Sequence, residues 1–511
     1  ILSGCNPKPA PLPKELRKEI ARLEREHHSA EEAVKNLPGA AASLTPPPLP
    51  EWDQSISPDE LRPRIQAALR ALLEFRFTLI ESRAVAPAQS VSFIAAESGD
   101  VFQFTGPPKA RTQSLRIENT GSALLVNPRL QANENSDWFD VSSLLDAVLR
   151  PGMSDREKVV ALWKFVVASR QHGYRAHPAA ELHDPVRFLN VYGYGFCDDA
   201  SSALTVLASE AGIPTRIWDL SGHVVPEFFF DGKWNLLDPD GEVCYFEKDG
   251  VTFADVESLQ REPERIREFP SPFYQDAEKL IQIYGTKDDN RLSDFYERTR
   301  GQPQRMAYTL RPGEGLWLSR LPAGRYFSAD YFQEPPDYGS GRLTFEPVFR
   351  EGLFQLGAQS VKNLTPVSGG LETTGGESEL VYLFSLPYPM LDGRVELECE
   401  LPEGGSVKVE FSEDGKKWTQ AGQSTAPGQQ SVSVKLTAFF RNGFGDPVYQ
   451  YWLRLRFDSP AGKPARISRL HYQMDVQAAP KSLPQLAGGE NTLRFLQSGD
   501  GAARVTVDYT E

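Results

Sequence analysis

Four residues in the middle of the chain have the types and spacing for thiol acyl-transfer chemistry: Cys197, His223, Asp238 and Asp240. A cysteine attacks a carbonyl only as its thiolate, so it needs a base within reach, and the base needs a carboxylate to hold its ring. Cys197 stands at the start of a predicted helix, behind a glycine-rich approach through Gly193 and Gly195. The unsatisfied amides and partial positive charge of a helix N-terminus favour a thiolate. Asp198 and Asp199 act against this, which makes assistance from a histidine matter.

The elements that must position these groups are legible nearby. After Cys197 the apolar residues Ala200, Ala203, Leu204, Leu207 and Ala208 form a stripe at helical spacing. Gly212 is the expected C-terminal stop, and Pro214 prevents the helix from resuming. His223 opens an apolar run that ends at Phe230, Asp231-Gly232 is a two-residue turn signal, and Lys233 to Asp238 returns. Pairing Phe230 with Lys233 sets His223 opposite Asp240 and Val225 opposite Asp238, so His223, Asp238 and Asp240 share a face. Either carboxylate could orient the imidazole; a one-residue slip, or a bulge at Pro226, would undo the arrangement.

At these residues the chain resembles the transglutaminase-like superfamily, whose members share a papain-like core with a Cys, His, Asp triad. The resemblance lies in Gly195-Phe196-Cys197, Gly212-Ile213-Pro214-Thr215-Arg216, His223, and Trp234 to Asp238, over residues 145–285. Cys197 and His223 are 26 residues apart, and His223 and Asp238 are 15 apart, within the family's ranges. The resemblance implies Cys197 as nucleophile, His223 as base and Asp238 as the acid that fixes its tautomer, with Asp240 as the alternative acid. For the oxyanion hole it implies the Cys197 amide, with Tyr192 and Tyr194 as side-chain candidates. Two departures stand out: Val224-Val225 follow the histidine where many members have an aromatic residue, and the side-chain half of the oxyanion hole has no unambiguous match.

Other patterns carry less. Asp238-Pro239-Asp240-Gly241 resembles the start of a calcium loop but lacks the later ligands, and no metal or other cofactor is expected. His172, His177 and His183 lack metal-like spacing and read as surface or packing residues. Gly193-Tyr194-Gly195 lacks the third glycine of a nucleotide loop.

The N-terminus bears on location. Leu2-Ser3-Gly4-Cys5 resembles a bacterial lipobox, in which Cys5 would carry the lipid. A proline-rich tether, Asn6 to Pro13, follows it. The expectation is an exported lipoprotein of the cell envelope, at the outer membrane or facing the periplasm. Of the four cysteines, Cys244 and Cys399 read as separate buried thiols. With 55 basic and 69 acidic residues the net charge is −14, which argues against nucleic acid as the main partner. No uncharged apolar run reaches the roughly 18 residues of a membrane-spanning helix.

The fold class expected is multidomain α+β: N-terminal helices, a small β module, a papain-like transglutaminase core and a C-terminal antiparallel β-sandwich of jelly-roll type. The expected boundaries are 1–50 for lipobox, tether and helix, 51–90 for a helical segment and 91–140 for the β module. They continue with 141–285 for the transglutaminase-like domain, 286–365 for a β-rich connector, 366–480 for the sandwich and 481–511 for a C-terminal β extension. Lys14 to Leu37 has heptad-like apolar spacing, and Ser57 and Ser154 open capping boxes. Val407/Val409/Phe411, Val432/Val434/Leu436 and Leu453/Leu455/Phe457 alternate as strands.

Two functions compete. The first is cysteine-dependent hydrolysis or transfer at an amide bond of a peptide or protein. The second is a catalytically inactive surface binder that holds peptide or glycan through the cleft and the sandwich, with Trp418 and Trp452 as sugar-stacking candidates.

Overall fold

The computed structural model describes residues 12–35, 44–50, 56–82, 89–173, 179–272, 274, 276–286, 290–294, 304–321, 338–443 and 447–511. Cys5 and His177 lie outside the described residues. The chain divides into two compact units: residues 1–87 with 322–324, and the remainder.

The first unit is a pair of helices, Lys14–Lys35 and Pro58–Ser82. Leu16, Leu23 and Ala30 are buried on one helix at seven-residue steps, and Leu61, Ile65, Leu69 and Leu72 on the other at three- and four-residue steps, each set making one face of its helix. Ser57 and Glu60 exchange the reciprocal bonds of the capping box. Among the described residues no helix is long and apolar enough to cross a membrane.

In the second unit, strands from distant parts of the chain pair in one antiparallel sheet. Gln89–Ala95 pairs with Ala503–Thr510, which pairs with Arg111–Asn119. The ladder continues through Glu314–Ser319 and Gly339–Phe345 to Arg466–Ala478. The segments read from sequence as a separate β module, connector and C-terminal extension are thus woven into one sheet with the sandwich. Leu115, Ile117, Leu316, Leu318, Val505 and Val507 alternate inward on it, and all are buried. A local period of two reveals each strand but not its distant partner.

A second sheet runs in the order Ala358–Lys362, Gly376–Ser385, Gln450–Ser459, Ser406–Ser412 and Thr419–Ser424. The two sheets meet through large rings: Phe384 of the second stacks on Tyr472 of the first at 4.1 Å between centroids. Of the residues read as alternating, Val407, Val409, Phe411, Leu453, Leu455 and Phe457 are buried on this sheet, and Val432 and Val434 are buried on Gly428–Lys435, a strand of the first sheet. Cys399 is a buried free thiol.

The part that positions the candidate site has three helices, Val141–Val148, Asp155–Ser169 and Cys197–Glu210, against a small antiparallel sheet. That sheet runs in the order Val243–Cys244, Lys233–Asp238, His223–Phe230, Thr215–Leu220 and Arg291–Ser293. Ser154 and Glu157 form the second capping box. The helical residues share one continuous core with the large sheets. A π-helical turn, Phe188–Tyr192, joins the two parts: the Ala479 amide donates to the Asn190 carbonyl at 2.8 Å.

Candidate active site

Cys197 is the first residue of its helix, and the chain before it is held tightly. The Phe196 amide donates to Asp199 Oδ2 at 2.9 Å. Asp199, expected to work against the thiolate, is therefore also the group that caps this helix. Gly195 is needed for close approach, since a β-carbon there would stand 2.7 Å from Asp199 Oδ2 and 2.9 Å from the Phe188 ring. The stripe Ala200, Ala203, Leu204, Leu207 and Ala208 is buried, and Ser201 Oγ donates to the Val224 carbonyl at 2.9 Å. That bond ties the helix that begins at Cys197 to the strand carrying His223. Cys197 is half-buried and unbridged.

The hairpin has the expected register from its turn as far as Glu227 and Leu236, but the expected pairs Val225–Asp238 and His223–Asp240 do not form. Phe230 pairs with Lys233, and the ladder runs to Glu227 opposite Leu236. Asp231 and Gly232 both take positive φ, 54° and 78°, as a twisted two-residue turn requires. Beyond Pro226 the returning strand leaves this partner, and Leu237 and Asp238 pair with Cys244 and Val243.

The imidazole meets its diagonal neighbour: His223 Nε2 lies 2.7 Å from Asp238 Oδ2. Asp238 Oδ1 accepts the amides of Asp240 and Gly241 at 2.9 and 2.8 Å, so the carboxylate is pinned at both oxygens. Trp163 Nε1 also donates to the Asp238 carbonyl at 2.9 Å. With Nε2 taken, Nδ1 of His223 is the nitrogen left for the thiol. It makes no hydrogen bond, and the Cys197 sulfur stands within 4.8 Å of a ring nitrogen. Burial disfavours the charged ring, but the Asp238 carboxylate and Cys197 outweigh it and raise the His223 pKa well above 6.5.

Asp240, the alternative acid, is bonded elsewhere. Its Oδ1 accepts from Arg170 Nη1 at 2.9 Å and meets His172 Nδ1 at 2.8 Å; Oδ2 accepts from the Tyr274 hydroxyl at 2.6 Å. Burial pushes its pKa up, but the His172 hydrogen bond and the Arg170 charge bring it below the ordinary value.

Two expectations need correction. Tyr192 cannot donate to an oxyanion, because its one proton goes to Glu181 Oε2 at 2.9 Å, deep in the core. Tyr194 accepts from Gln477 Nε2 at 2.9 Å, which leaves its proton unspent, but its side chain is fully buried in the core. The backbone amide of Cys197 is the remaining candidate. Of the histidines read as surface or packing residues, His183 is a packing residue, while His172 is also tied to a distant carboxylate. His172 engages Asp240, and His183 is buried with Nε2 3.8 Å from Asp198 and 3.7 Å from Asp199. A partner 68 residues away, as Asp240 is from His172, leaves no local pattern to read.

The Gly-Ile-Pro-Thr-Arg segment has a clear structural part. Arg216 Nε bonds the buried Glu227 at 2.5 Å, and its guanidinium lies 4.4 Å from the Trp234 ring centroid. The three central strands are thereby locked together. Two clusters of the described residues could offer ligands to a cation, Cys197/His223/Asp240 and His183/Asp198/Asp199.

Of the sugar-stacking candidates, Trp418 lies under the Arg454 guanidinium at 4.1 Å, and Trp452 packs on the turn at Gly415. Both are half-buried. Tyr449 bonds Glu181 and lies under Arg187, which joins the sandwich to the helical part.

No curated protein sequence is significantly similar to the chain. Among solved structures, an insecticidal crystal protein, Cry2Aa, aligns over 90% of this chain and 81% of its own at 8% identity. Its TM-score of 0.16 is too low to bear on the fold. Residues 142–239, which include Cys197, His223 and Asp238, match the family model of the transglutaminase-like superfamily, and the chain contains a domain of that superfamily there.

Proposed function

We propose that the protein is a cysteine-dependent acyltransferase or hydrolase acting at an amide bond of a peptide or protein. The observation that carries this is the fixed order of contacts: Asp238 holds Nε2 of His223, and Nδ1 is left for the sulfur of Cys197 at its helix N-terminus. In this reading His223 takes the Cys197 proton, and the thiolate attacks the amide carbonyl. The Cys197 amide stabilises the oxyanion; one such donor is typically worth about 2.7–4 kcal/mol. The imidazolium then protonates the leaving amine, and the acyl-enzyme passes to water or to an amine.

Turnover of a peptide library by the wild type and by Cys197→Ala tests the reading. Release of new termini or crosslinks by the wild type alone supports it; equal behaviour of the two proteins rejects it.

The same reading extends to location: an exported lipoprotein anchored through lipid on Cys5 at the cell envelope. Mass spectrometry of the native N-terminus tests this, and an unmodified chain beginning upstream of Cys5 rejects it. The rival, an inactive binder of peptide or glycan, draws on the half-buried Trp418 and Trp452 and predicts sugar binding without turnover.

A further inference from the structure

We propose that the cavity lined by the end of the helix Asp155–Ser169 and by residues 481–485 is a binding site for an aromatic carboxylate. The inference stands apart from the acyl-transfer reading, because Cys197, His223, Asp238 and Asp240 are not among the lining residues. The cavity holds about 640 Å³, within the roughly 300–1,000 Å³ of small-ligand sites. Its walls come from distant parts of the chain and are tied to one another. Lys481 Nζ donates to the Ala168 carbonyl at 2.5 Å, and Arg320 Nε to the Thr112 carbonyl at 3.2 Å. Thr112, next to Arg111, donates in turn from Oγ1 to the Pro484 carbonyl. A site already held in shape loses little freedom when it is filled.

Charge and shape decide the class of ligand. Arg111, Arg320 and Lys481 line the cavity, and Asp137 is the one acid among the described lining residues. Asp137 is already answered: its Oδ1 accepts from Arg129 Nη1 at 3.3 Å and from the Phe139 amide at 3.2 Å. The lining therefore carries an excess of positive charge in a protein whose net charge is −14. Such a wall favours an anion, because hydrogen bonds from a guanidinium or ammonium to a carboxylate are among the strong ones.

The cavity also has an aromatic wall. Trp138 and Phe165 both line it, with ring centroids 5.2 Å apart and planes at 87°. An edge-to-face pair of this kind can take a third ring by stacking or by its edge. An inorganic anion would leave that apolar surface wet, and a neutral ring would gain nothing from the cations. A carboxylate carried on an aromatic body uses both walls. A peptide that ends in an aromatic residue presents this chemistry, and so does a free aromatic acid.

Calorimetric titration of the full chain tests the inference with N-acetylphenylalanine, phenylpropionate, N-acetylphenylalaninamide and inorganic phosphate. The amide keeps the ring without the charge, and phosphate keeps the charge without the ring. We expect at least one carboxylate to bind, and the amide and phosphate to bind at least about 10-fold more weakly than it does. Tighter binding of N-acetylphenylalanine would support the site as one for peptide C-termini, and tighter binding of phenylpropionate as one for free aromatic acids. Arg111→Gln combined with Arg320→Gln should weaken the carboxylate by about 10-fold or more, while Cys197→Ala should bind it as the wild type does. The comparison of ligands needs only the wild type, so a variant that folds poorly does not decide the outcome. Binding of the amide or of phosphate as tight as that of the carboxylates overturns the inference. So does the absence of carboxylate binding at about 5 mM, or its loss in Cys197→Ala, which would place the ligand at the candidate active site.

Discussion

Gly241 makes room for the carboxylate of Asp238. Its amide donates to Asp238 Oδ1 at 2.8 Å, and a β-carbon at this position would stand 2.6 Å from Oδ2, the oxygen that holds His223. The backbone that pins one oxygen therefore leaves space for the other, and only a residue without a side chain satisfies both.

Gly241→Ala is accordingly a site mutation in the guise of a conservative one. Crowding of this kind costs about 1–3 kcal/mol of stability, while the displaced carboxylate should slow acylation of Cys197 by at least ~10-fold. Gly285→Ala is the control: its added carbon meets nothing nearer than 3.7 Å and should leave acylation unchanged. Equal acylation rates in both variants would show that the Asp238 position is not needed.

The thiols should differ sharply in reactivity. Burial pushes Cys244 up to about 12 and Cys399 up to about 11, so both stay protonated near neutral pH. Iodoacetamide at pH 6 should label Cys197 first, as read by peptide mass spectrometry. If Cys244 is labelled as fast as Cys197, the nucleophile reading loses most of its support.

The two aspartates should fail differently. Asp238→Asn removes the charge that stabilises the imidazolium of His223 and should slow acylation by ~10²-fold or more. Asp240→Asn instead leaves the buried guanidinium of Arg170 without its counter-charge, which should cost ~3–5 kcal/mol and show as a lowered Tm. The reverse pattern would reassign the acid.

The pH dependence of acylation follows from His223. Its raised pKa keeps the ring charged to well above pH 6.5. The rate with an amide substrate should thus stay level through neutral pH and fall only as the pH climbs through the folded-state value. Asp238→Asn should move that alkaline limb downward. An unmoved limb would mean that another group titrates there.

Glu181 offers a stability test away from the sulfur. Burial raises its pKa against the opposing hydrogen bond of Tyr449 and the charge of Arg187. The folded state therefore holds the Glu181 proton more tightly than the unfolded chain does. Stability is greatest below the unfolded value near 4.5 and falls as pH rises through the folded one. From pH 5 to 7 the wild type should lose more Tm than Glu181→Gln; parallel curves would show that the carboxyl contributes nothing.

Local chemistry was enough for much of this protein. The capping residues Ser57 and Ser154, the helix behind Cys197, the Asp231-Gly232 turn and the register of its hairpin all depend on neighbours within a few residues. Periodicity and turn chemistry report such neighbours directly. Tertiary structure decided what depends on distant partners. Asp240 belongs to Arg170 and His172, some 70 residues upstream, and the Tyr192 hydroxyl to Glu181 and Tyr449. Gln89–Ala95, Val101–Thr105 and Arg129–Ala132 pair with the C-terminal strands at the far end of the chain. A hydrogen bond or strand pair is specific in space and carries no mark of its partner's place in the sequence, so only the folded chain shows which acid serves which histidine.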